Sequence, residues 1–162
     1  MRTDYVVMAR HSFLAFVVAA SLSVFLGAKG QEWVLLPGHL ADELTRQCSR
    51  PAPDDFEATW EPSTSDVQRL EQRIDQIETL KAKECCLRNA RVDDVHDYYR
   101  QYVGIVLDGR KVIYINAFKR DVECTGWRDS TIVYCDGGKT FWGVVFDPKT
   151  GVFSGLAFNG EV

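Results

Sequence analysis

Few residues in this chain combine the types and spacing that chemistry needs. The densest titratable run is Asp93-Asp94-Val95-His96-Asp97, one imidazole among three carboxylates. Such neighbours raise an imidazole pKa, and their oxygens suit a hard cation. The run lacks the central Gly and closing Glu of a calcium-binding loop, so its plainer reading is a solvated linker. His39 is the other histidine outside the N-terminal leader described below, which leaves a hydrolase only His96 and its carboxylates to work with. Ser130 and Ser154-Gly155 lack the context of a nucleophile elbow. Asp136-Gly137-Gly138 has the glycines of a phosphate loop, but no helix follows to supply a dipole, and a hairpin turn is expected. The five cysteines contain no Cys-x-x-Cys, and His96 stands ten residues from Cys86 with no matching ligand, which argues against zinc. The expectation is no catalytic residue, no metal and no cofactor.

Disulfides suit these cysteines better, because the chain opens like an exported one. Arg2 and Arg10 precede an uncharged apolar run over residues 13–28, and Ala28-Lys29-Gly30 places small residues where a signal peptidase inspects them. Cleavage before Gln31 makes residues 1–30 a signal peptide and the protein periplasmic or secreted, without stable membrane insertion afterwards. The competing reading is an uncleaved anchor, since the run approaches the ~17-residue minimum for spanning a bilayer. All five cysteines lie beyond the leader, so at least one is left over. Cys124 and Cys135 flank a short loop and are the expected pair; Cys48 would then join Cys85 or Cys86. Removal of Arg2, Arg10, Lys29 and Asp4 leaves 16 basic and 22 acidic residues, a net charge of −6. That balance argues against nucleic acid and anionic membrane as partners.

The elements that must position any site begin with residues 98–159, which read as consecutive strands joined by short turns. Asp108-Gly109 between two β-branched runs signals a type I′ hairpin. Its register sets Leu107 opposite Arg110, Ile105 opposite Val112, Val103 opposite Tyr114, Gln101 opposite Asn116 and Tyr99 opposite Phe118. A second hairpin turns at Asp147-Pro148-Lys149-Thr150-Gly151, with a direct register that puts Gly143 opposite Gly155. Residues 131–135 are expected to form a further strand between the hairpins. The side chains of Tyr99, Gln101, Tyr114, Asn116 and Phe118 share one face and mix amides with aromatics, as binding surfaces do; the same face could equally be core with its amides satisfied. The two glycines leave a notch that a helix, a Trp or a ligand could fill.

Upstream, Pro62-Ser63-Thr64-Ser65-Asp66 opens a helix with Ser65 and Gln68 at capping-box spacing, or Ser63 and Asp66 in the frame before, and Val67, Leu70, Ile74 and Ile77 recur at three and four. The pattern predicts one long helix, ending near Asn89 and packed on the sheet. Residues 56–60 alternate like a short edge strand, and residues 31–55 form a covering arm with a turn or two of helix at residues 40–47. The expected fold is α+β, one domain over residues 56–162, with a single long helix on a four- to five-stranded antiparallel meander.

Strand, helix and four strands is an order that resembles the cystatin-like architecture, from about residue 56 to residue 159. The inhibitory Gln-x-Val-x-Gly is absent, because Gln101-Tyr102-Val103-Gly104-Ile105 has its Gly one place early. Tyr98-Tyr99-Arg100-Gln101-Tyr102, residues 113–118 and Cys135-Asp136-Gly137-Gly138 with Phe141-Trp142-Gly143 are similar to stretches of small exported bacterial proteins of unknown function. That resemblance implies an envelope or secreted setting and lends no catalytic residue. The leading expectation is a binding module that recognises or inhibits a protein partner in the envelope or outside the cell. A hydrolase built on His96 and a structural envelope protein are the alternatives.

Overall fold

The computed structural model describes residues 30–83 and 86–161. The signal peptide expected over residues 1–30 therefore lies outside the described residues except for Gly30, and so does Cys85.

The Asp108-Gly109 hairpin is the centre of the fold. Strand β3 (Tyr98–Leu107) pairs with β4 (Arg110–Lys119) in the expected register throughout, from Leu107 opposite Arg110 to Tyr99 opposite Phe118. Asp108 and Gly109 both have positive φ, 50° and 69°, as a type I′ turn requires. Strand β5 (Phe141–Asp147) continues the sheet beside β4, and β6 (Val152–Phe158) follows after a turn closed by Gly151 N–H donating to Asp147 O at 2.7 Å. The other side of β3 takes two short strands. β1 (Trp33–Leu35) runs parallel to it at residues 100–102, and β2 (Ala58–Thr59) antiparallel at Val106 and Ile105. Gly104 sits beneath the chain leaving β2, where a Cβ would lie 2.2 Å from Trp60 O, so no larger residue fits.

This corrects the expected fold in two respects. The sheet has six strands and is mixed, because the arm contributes β1 in parallel. The long helix is also absent: α2 (Thr64–Glu71) has eight residues and gives way to a 3-10 segment, Ile74–Thr79. Its start follows the sequence, with Ser63 as N-cap and a capping box to Asp66. Its early end has a local reason. Arg73 N–H donates to Leu70 O and Gln76 N–H to Arg73 O, three-residue closures that tighten the winding. In a 3-10 segment residues three apart eclipse, so Ile74 and Ile77 still point the same way, and both are buried. Leu80 is extended, and among the described residues from there to Asn89 none is helical.

Both faces of the sheet are covered. Val67, Leu70, Ile74 and Ile77 pack with Tyr102, Ile113, Ile115, Trp142, Val144, Phe146 and Phe158 on one face. The opposite face, with Val103, Ile105, Val112 and Tyr114, receives Leu36, Ala41 and Leu44 from the arm, whose helix α1 is Ala41–Thr45. Beside the arm on that face lies the segment between β4 and β5. Residues 131–135, expected as a strand, have no ladder; buried side chains hold them instead.

Candidate functional site

The five residues expected to form a binding face are all on the arm side of the sheet, and four of them are buried. Gln101, Tyr114, Asn116 and Phe118 are at most 2% exposed, and Tyr99 is half-buried. The amides substitute for a strand ladder. Gln101 Nε2 donates to Trp127 O (2.6 Å) and Ser130 O (2.7 Å), and Gln101 Oε1 accepts from Ile132 N–H (2.9 Å). Asn116 Nδ2 donates to Ile132 O at 2.8 Å, while Asn159 Nδ2 reaches Tyr134 O at 2.6 Å. Tyr99 stacks on Trp127 with ring centroids 4.6 Å apart. Each loop carbonyl so engaged would otherwise be a costly unpaired group against the sheet. The face is an inner surface that fastens residues 127–136, which is the core alternative weighed for it.

The disulfide is a second correction. Cys48 bridges Cys135, and not Cys124 with Cys135 or Cys48 with Cys85 or Cys86. The bond staples the end of the arm to the loop that the amides hold, two segments that lie side by side on the arm face although 87 residues apart. Cys124 is half-buried, and burial pushes its thiol pKa up. Cys86 Sγ donates to Ser49 O at 3.2 Å.

Two residues past the bridge, Arg50 enters the sheet. It is 5% exposed, and its guanidinium donates to Asn116 Oδ1, Asn159 Oδ1 and, at 3.2 Å, Tyr114 Oη. These partners are neutral oxygens, and Nε is buried without one. Among the described residues Arg50 has no carboxylate within 4 Å. The notch expected at Gly143 is where it fits: a Cβ there would meet Tyr114 Oη at 2.6 Å and Arg50 Nε at 3.0 Å. Gly155 does not share the notch. The ladder leaves the turn one place off the direct register, with Val145 facing Ser154, and the bulge at Gly155 (φ +70°) adds a second place, so Gly143 faces Ala157. The glycine pair was the sequence signal for this site; a buried Arg in the stretch Ser49-Arg50-Pro51 had none.

Above Arg50 the sheet ends in a cleft of about 360 Å³. β6 forms its floor from Phe153 to Ala157, together with Val145 and Tyr114 from the neighbouring strands. Pro51, Ala52 and Pro53 wall it on the arm side, and Leu80, Lys81 and Lys83 on the α2 side. β6 is the last strand of the sheet, and among the described residues its backbone has no hydrogen-bond partner beyond β5. Tyr114 is the one residue of the expected binding face that lines it.

His96 sits elsewhere, at the opposite sheet edge. Its Nε2 is 2.9 Å from Asp75 Oδ1 and its Nδ1 4.0 Å from Glu32 Oε2, so the carboxylates that reach its ring come from Asp75 and Glu32, not from its own run. Behind Glu32 lies buried Arg100, which donates to Tyr102 Oη at 3.0 Å and to Glu71 Oε2 at 3.3 Å; Tyr102 donates to the other oxygen of Glu71. Burial holds the Tyr102 pKa well above that of a free phenol, and Trp33 stacks over its ring. The network ties β1, α2 and β3 together, and no serine or cysteine takes part in it. Among the described residues no group of three or more His, Cys, Asp or Glu side chains is placed to hold a metal ion. Comparison of the chain with protein-family models, curated proteins and solved structures finds no match.

Proposed function

We propose that the protein is an exported binding module that holds an extended segment of a partner protein in the cleft along β6. One observation carries this: a sheet edge with no strand paired beyond it among the described residues lies at the bottom of a largely apolar slot with walls on both faces. A strand laid there gains main-chain hydrogen bonds from the edge and pockets for alternate side chains from the walls, the recognition mode of strand addition. The Cys48–Cys135 bond supports an oxidising compartment, as does the leader-like N-terminus. A bare edge strand is an aggregation hazard that proteins manage by covering it, and here the cleft walls flank the edge on both faces.

The test is selection of peptides from a random library on the immobilised protein, followed by binding to Ser154→Trp. Ser154 is exposed on the cleft floor, so a large ring there fills the slot without entering the core. Selected peptides should lose affinity for Ser154→Trp while the melting temperature stays put. Peptides that bind the variant as well as they bind wild type would place recognition elsewhere.

A further inference from the structure

The cleft also carries information about the charge of its occupant. Lys81 and Lys83 are exposed on one wall, and their alternation along an extended segment puts both ammonium groups on the same side. No aspartate or glutamate lines the cleft among the described residues, and Asp54 and Asp55, next along the arm, lie outside the lining. Beneath the floor, the Arg50 guanidinium is buried against oxygens that are all neutral among the described residues. Its field is little screened there, and Tyr114, which it contacts, lines the cleft. The chain as a whole carries a net charge of −4, so this cluster of cations, with no carboxylate in the lining among the described residues, runs against its average.

We propose that the cleft takes an acidic extended segment, with carboxylates at alternate positions toward Lys81 and Lys83 and small apolar side chains toward Pro51, Pro53 and Val145. This rests on the reading of the cleft as the binding site. The bulge at Gly155 sets the length of the match. A regular ladder is offered by Val152, Phe153 and Ser154, and the bulge interrupts it before pairing with β5 resumes at Ala157. The added strand therefore pairs over about three residues and draws the rest of its affinity from side chains and charge.

Three eight-residue probes alternating valine with glutamate, glutamine or lysine separate the possibilities, measured by fluorescence anisotropy on the full chain. The glutamate probe should bind tightest and weaken with added salt. The double variant Lys81→Glu with Lys83→Glu should lose about tenfold for it and gain for the lysine probe. Equal binding of all three probes would overturn the acidic assignment and leave the cleft as a strand-binding site. If no probe binds, and library-selected peptides also ignore Ser154→Trp, the cleft reading fails together with the charge assignment. A dimer of the full chain that Ser154→Trp converts to monomer would make a second copy the occupant and overturn it too.

Discussion

Two tyrosines show how much a single environment can set. Tyr98 donates to Lys139 O at 2.9 Å; burial first, then the negative field of Asp93 and Asp97, pushes its pKa up to about 12. Tyr102 is raised well above its ordinary value, chiefly by burial. An unfolded tyrosine ionises near pH ~10. Above that pH the unfolded chain sheds protons the folded chain keeps, so stability from these groups is complete below about pH 10 and falls as pH rises toward the folded values. At about pH 11 the loss from Tyr98 should be roughly 1 kcal/mol. Denaturant melts at about pH 9 and about pH 11 should therefore differ less for Tyr98→Phe than for wild type, and identical differences would remove Tyr98 from the account. Neither shift was legible in the sequence, which shows a Tyr-rich strand but not that one ring is closed in by Trp33, Glu71 and Arg100.

At the scale of elements, the local rules that require special backbone were the readable ones. Asp108-Gly109 fixed a ten-pair register, and of the two capping frames the sequence offered, Ser63 with Asp66 starts the helix. What failed were inferences that local spacing cannot decide. A three-four apolar stripe looks the same on a long helix as on a short helix continued by a 3-10 segment, because Ile74 and Ile77 face the core in both. The β6 register starts one place off at the turn and slips a second place at the bulge, where Gly155 takes a positive φ that the sequence permits without demanding. The buried stripe still has a clear consequence. Ile74→Ala should cost about 2 to 5 kcal/mol by opening a cavity against the sheet. Gln72→Lys, on an exposed residue, should stay within about 0.5 kcal/mol. An Ile74→Ala melt matching wild type would mean the 3-10 segment does not seal that face.

For the whole molecule, the decisive feature is that three segments far apart in sequence close one face: the arm, the loop before β5 and the end of β6. Arg50 of the arm bonds Asn159 after β6 and Asn116 of β4, whose amide holds the loop at Ile132, and Cys48 locks the arm to Cys135 in the loop. The cysteine rule of nearest sensible partners missed this, since loop length says nothing about which segments the sheet brings side by side. Closing a loop of this size constrains the unfolded chain strongly, so Cys48→Ser with Cys135→Ser should lose about 2 to 5 kcal/mol, whereas Cys124→Ser should lose under about 1 kcal/mol. The loss should also be local. Hydrogen exchange ought to rise in residues 127–136 and in the arm, while β3 and β4 keep the protection of their continuous ladder. Because Pro51 and Pro53 stand just beyond Cys48, the same double variant should loosen one wall of the cleft and raise the dissociation rate of the glutamate probe. Unreduced peptide mapping that joins Cys124 to Cys135, or a double serine variant as stable as wild type, would mean that the arm face is held by packing and by Arg50 alone.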